Sequence, residues 1–125
     1  MANELIPFEE PGQRITAQAS ATVTGKRFVN ISGNRTAGGK YQVAPATAAG
    51  AVFGVATYDA ASGEPVGVIR SGIVPVTAGG TIAAGARVEV GTNGQAVTLA
   101  SGVAVGQCVD GVTSGNDARI ALNLL

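Results

Sequence analysis

The chain has 125 residues, enough for one small domain. It contains no His, and its 8 Lys and Arg balance its 8 Asp and Glu. That composition excludes a His-based triad, a His-ligated metal and the basic footprint of a nucleic-acid binder.

Gly (19) and Ala (22) make up about a third of the chain, so much of it has almost no side chain. A mean hydropathy of +0.30 is too high for a disordered segment. Val (16), Thr (11) and Ile (7) outnumber Leu (5). β-Branched side chains fit a pleated sheet and lose χ1 freedom in a helix, which predicts an all-β fold. With no Trp, three Phe and two Tyr, the core should be thin. Stability is then expected to draw on oligomerisation or on a partner.

Residues 1–14 differ from the rest. Leu5, Ile6 and Phe8 lie among Glu4, Glu9, Glu10, Pro7, Pro11 and Gly12. Two prolines four apart block both a helix and a central strand. The segment reads as an extended N-terminal arm, with a frayed terminus as the plain alternative. Three large apolar residues so close together favour an arm that docks on a neighbour. Leu5, Ile6, Pro7, Phe8, Glu9, Glu10 and Pro11 are the candidate partner-binding residues. No basic, apolar-cored leader opens the chain, which predicts synthesis in a cytoplasm without secretion. No apolar run approaches the length of a membrane span.

Residues 15–125 read as one β-rich domain of roughly eight to ten short strands, a β-barrel or β-sandwich (β-tulip-like). Thr22–Thr24 and Phe28–Ile31 are predicted strands around a tight turn at Gly25-Lys26. Tyr41–Val43 follows, closed by Pro45. Residues 46–51 read as a loop or one weak helical turn. Val52–Tyr58 is a near-continuous apolar strand, then Val66–Arg70 and Ile73–Thr77. Pro75 marks the last of these as an edge strand or a bulge. Arg87–Val90 and Ala96–Leu99 flank Asn93-Gly94, a dipeptide that tolerates the positive φ angles of a type I′ hairpin turn. Val103–Val109 is another apolar strand. Arg119–Leu124 alternates, with Ile120, Leu122 and Leu124 on one face. Ala49–Val55 echoes Ser101–Gln107. This is either coincidence in a Gly/Ala-rich chain or two equivalent strands of a pseudo-symmetric barrel.

Chemical motifs are missing. Gly80–Gly85 has the glycine spacing of a phosphate loop, but Ala86-Arg87 follows where Lys and a hydroxyl are needed. Asp59, Glu64, Asp110 and Asp117 are scattered, so no metal site is expected. No hairpin tip presents the Lys of a biotin or lipoate carrier. The single Cys108 sits in an apolar run and reads as a small buried hydrophobe. The chain is expected to be no enzyme and to need no cofactor.

The run Val52-Phe53-Gly54-Val55-Ala56-Thr57-Tyr58-Asp59-Ala60-Ala61-Ser62-Gly63-Glu64-Pro65-Val66-Gly67-Val68 continues into Gly72-Ile73-Val74-Pro75-Val76 and Ala83-Ala84-Gly85-Ala86-Arg87-Val88-Glu89-Val90. It resembles the small head-decoration (capsid cement) proteins of tailed bacteriophages, the DUF2190 family. Asn3-Glu4-Leu5-Ile6-Pro7 with Glu10-Pro11-Gly12 is similar to the group found in actinobacterial phages. The resemblance spans nearly the whole chain, and its motifs are structural glycines and apolar strands. It implies a virion protein on the outer surface of the mature capsid, made in the host bacterial cytoplasm. The implied partner is the major capsid protein, whose subunit contacts it reinforces. The implied assembly is a homotrimer at three-fold and quasi-three-fold axes. A tail-tip or spike β-domain of the same composition is the alternative.

Overall fold

The computed structural model describes residues 3–9 and 12–124. Among these residues, ten strands form two five-stranded units in series. The first unit uses β1 (Arg14–Ala19), β2 (Phe28–Gly33), β3 (Gln42–Pro45), β4 (Gly54–Ala56) and β5 (Pro65–Ile69). Their order is β1-β3-β2-β4-β5, and β5 returns antiparallel onto β1 to close a barrel. The second unit uses β6 (Ile73–Thr77), β7 (Arg87–Val90), β8 (Ala96–Thr98), β9 (Gly106–Cys108) and β10 (Asp117–Leu122), ordered β6-β10-β9-β7-β8.

The second unit repeats the first, strand for strand. Ile15 pairs with Val68, and Val74 pairs with Ile120. Val29 pairs with Gly54, and Val88 with Gly106. Ile31 pairs with Val43, and Val90 with Ala96. The loop bridge Val23–Ala60 returns as Ile82–Val112. The parallel contact of Ala19 with Val43, which closes the first barrel, returns as the isolated parallel bridge Ala78–Ala96. The echo seen in the sequence falls in this register where it enters β4 and β9, so Gly54-Val55 and Gly106-Gln107 are equivalent strand positions. Its shared glycines have a common cause. A Cβ on Gly54 would lie 2.7 Å from the carbonyl oxygen of Ile69, and one on Gly106 would lie 2.6 Å from that of Ala121. Ile69 and Ala121 also correspond, so both glycines permit the same close strand approach.

The first barrel explains the small side chains. Its interior holds Ala17, Ala19, Val23, Val29, Val43, Ala56, Ala60, Val66 and Val68, none larger than Val. Five strands close around a narrow space, and only small side chains fill it without strain.

The second core is larger and holds Phe28, Ile82 and Ile120. Its two end strands do not zip together as β1 and β3 do. In the first unit the Gln18 N–H donates to the Tyr41 carbonyl at 2.8 Å. At the matching place the Thr77 N–H donates to the carbonyl of Lys26, in the first unit, at 2.9 Å. Residues 26–28 therefore wedge into the seam between β6 and β8. Phe28, Val55 and Ala46 join the second core, while Val29 and Ala56, facing the other way, fill the first. Lys26 Nζ also reaches Asp117 Oδ2 at 2.8 Å, but both groups are about half exposed, so the pair adds little. The apolar wedge holds the units together.

Several strand expectations need adjusting. Thr22–Thr24 contributes only the single bridge at Val23. Val52–Tyr58 and Val103–Val109 each contribute three strand residues, in β4 and β9, and further upstream the chain also makes contacts between units. The Ala49 N–H donates to Val90 at 2.8 Å, and the Val103 N–H donates to Ala49 at 3.2 Å. Strand β1 was not anticipated as a separate element. The Asn93-Gly94 hairpin stands, with φ of 56° and 75° at its two residues. Pro75 does lie on an end strand, β6.

Candidate functional site

The arm is the first candidate surface. Leu5, Ile6 and Phe8 are 86%, 79% and 96% exposed, the three most exposed large apolar side chains among the described residues. Pro7 is exposed as well, and none of residues 3–9 lies in a strand. The cause is local: Pro7 removes a backbone donor from any ladder the segment could join. Among the described residues of the apolar segment 3–9, a side-chain hydrogen bond reaches the body. The Tyr41 hydroxyl donates to Glu9 Oε2 at 3.3 Å. Glu10 and Pro11 lie outside the described residues. The structure thus brings Glu9 onto the barrel and leaves the apolar candidates free.

A second surface was not anticipated. In the first unit, Arg14, Ile69, Val55 and Phe28 form one row across four strands. The second unit covers its Val55–Phe28 end. The matching row in the second unit is Ile73, Ala121, Gln107 and Arg87. Among the described residues nothing covers it: Ile73 is 63% exposed, and Gln107 and Arg87 are exposed too. Beside it lies an open cleft of about 410 Å³, lined by Arg87, Ala104, Gln107, Leu122 and Asn123. The Gly54/Gly106 echo was a partial signal for this row: aligning it places Gln107 on Val55, and only the strand pairing then places Arg87 on Phe28.

Next to this row, Glu89 is buried. Its Oε1 accepts the Ala100 N–H and, at 3.4 Å, the Gly102 N–H. The carboxylate therefore folds residues 100–102 over β7. Its counterpart Asn30 is only half-buried and has no such role.

Cys108 is fully buried, and its Sγ donates to the Asp110 carbonyl at 2.9 Å. Burial raises its pKa above the ordinary value, and the Asp110 hydrogen bond offsets part of that. It is a packing residue at the position where the first unit has Ala56.

Both surfaces are open and solvent-facing among the described residues. The profile of a family described as phage cement protein matches residues 9–124. In structure the chain is similar to the one reported as "The crystal structure of head fiber gp8.5 N base in bacteriophage phi29". The TM-score is 0.75, with 21% identity over 88% of this chain and 92% of that one. At that identity the likeness establishes the fold alone. No curated protein matches. Because the family match spans most of the sequence, from the arm's end through β10, the chain belongs to the phage cement protein family, a structural and non-enzymatic one.

Proposed function

We propose that this chain is a head-decoration protein, which binds the outer surface of the mature phage capsid and reinforces contacts between major capsid subunits. The observation that carries this reading is the family match over residues 9–124. The similar phi29 structure is named for a head fiber base, another part of a phage head. Leu5, Ile6, Pro7, Phe8, Glu9, Glu10 and Pro11 act as the partner-binding arm of residues 1–14. Residues 15–125 form the body that the arm anchors.

The mechanism is linkage. A protein that binds the mature lattice and not its precursor or its dissociated subunits stabilises that lattice by the binding free energy. The apolar side chains on the arm are already exposed, so docking them removes apolar surface from water at about 25 cal/mol per Å². The arm must be ordered when it docks, and Pro7 and Pro11 reduce that entropic cost. A homotrimer on three-fold and quasi-three-fold positions fits this role.

The test is co-sedimentation of purified protein with mature heads. The full chain is expected to pellet with heads, and a chain lacking residues 2–14 to bind more weakly or not at all. Full-strength binding by the truncated chain removes the arm from the mechanism. Binding to isolated tails in place of heads favours the tail-tip or spike reading.

A further inference from the structure

We propose that the arm of one copy docks on the open row of the second unit in another copy, with Phe8 in the cleft beside Leu122 and Glu4 against Arg87. This rests on the reading of the arm as a partner-binding element, and it names the partner as a second copy of this chain.

The repeat supplies the first argument. The Val55–Phe28 end of the row is an interface within the chain, and the matching Gln107–Arg87 end is open. The open row cannot be covered in the way the first one is. Phe28 plugs an apolar seam, but Arg87 stands in its place, and an unpaired guanidinium does not enter an apolar core. The seam of any other copy is in any case filled by that copy's own Phe28. The occupant must therefore be an extended segment that can lie on the surface.

Shape and charge supply the second argument. The arm carries three exposed large apolar side chains, and the cleft of about 410 Å³ has room for one of them. Residues 1–13 of the arm also carry Glu4, Glu9 and Glu10 and no Lys or Arg. The open face carries Arg87 and Arg119. Arg119 has only a loose, exposed pair with Asp110 at 3.4 Å. Complementary charge of this kind sets register and partner choice.

The third argument places the arm on another copy. The open row starts at Ile73, just after Gly72, close to where β1 begins: the Arg70 N–H donates to Gln13 at 2.8 Å. Glu9 is bonded to Tyr41, which lies beside Gln18 at the other end of β1. The arm is thus led away from its own open row. Arm-to-row contact is head-to-tail, and such contacts close into a ring when the rotation allows.

The test uses full-length chains carrying Cys108→Ala, the residue found at the matching position of the first unit. Chains with Phe8→Cys are mixed with chains carrying Gln107→Cys and oxidised mildly with copper phenanthroline. A disulfide-linked pair of chains is expected from this mixture. A control mixture of Phe8→Cys with Tyr58→Cys, an exposed first-unit position, should give little. Equal yields in both mixtures, or no linked pair in either, overturn the proposal. Light scattering gives a second readout. Arg87→Glu should weaken self-association about tenfold, and adding Glu4→Lys should restore it. Unchanged association by Arg87→Glu also overturns the proposal. Loss of head binding on arm removal, without the cross-link, makes the capsid the arm's partner. That outcome ends this proposal and leaves the decoration reading standing.

Discussion

Phe28 and Arg87 occupy the same position in the two repeated units, yet Phe28 is fully buried and Arg87 faces solvent. The difference sets the architecture. Phe28 leaves its own barrel, which has no room for it, and fills the core of the next. Arg87 ends the series and leaves a face for contact outside the chain.

Phe28→Ala should therefore loosen the join between the units. The expected loss is about 3–5 kcal/mol, the usual cost of removing a buried Phe. Urea unfolding checks it: the midpoint should fall sharply. A midpoint close to that of the unsubstituted chain would show that the wedge is dispensable.

Gly54→Ala and Gly106→Ala should each destabilise the fold, since a Cβ at either site meets a strand carbonyl oxygen. Overpacking of this kind costs roughly 1–3 kcal/mol. Thermal melts of the two variants should move in the same direction. Opposite shifts would argue that the two units are not equivalent at this position.

Glu89→Ala removes the acceptor for the Ala100 and Gly102 N–H groups. Leaving such donors unmatched costs about 1–3 kcal/mol. Amide exchange at Ala100 and Gly102 should speed up, while exchange at Val43, inside the first barrel, stays slow. Equal acceleration at both places would mean that Glu89 supports the whole fold rather than one loop.

Cys108 gives a pH dependence. Burial raises its folded pKa, so the folded state holds the proton to higher pH than the unfolded chain does. Below the unfolded value, about 8.5, both states are protonated and stability is unaffected. Above it the unfolded chain ionises first, so stability falls as pH rises, by at most about 1.4 kcal/mol per pH unit. Urea unfolding at neutral and alkaline pH should show this loss. Cys108→Ala should abolish the thiol's share of it; an unchanged alkaline loss in that variant would assign the effect elsewhere.

Much of this fold was readable along the chain. Val88-Glu89-Val90 and Ile120-Ala121-Leu122 alternate with period two, and Asn93-Gly94 marks its hairpin, because those signals are local. Strand β1 was hard to see, since Ala17 and Ala19 give little hydropathic contrast with Thr16 and Gln18. The repeat was visible only at Gly54 and Gly106, where close strand approach imposes the same residue twice. Elsewhere the units face different surroundings, so Phe28 became Arg87 and Val55 became Gln107. The exposure of Leu5, Ile6 and Phe8 was legible because they sit among prolines and glutamates. The open row was not, because Ile73, Arg87, Gln107 and Ala121 meet only after four strands pair.

The most direct test of the decoration role is a cryo-electron microscopy map of the intact phage particle. The account predicts the two-unit module, in many copies, on the outer surface of the head and bridging neighbouring capsid subunits. Density for the module only at the tail, or none on the head, would contradict it.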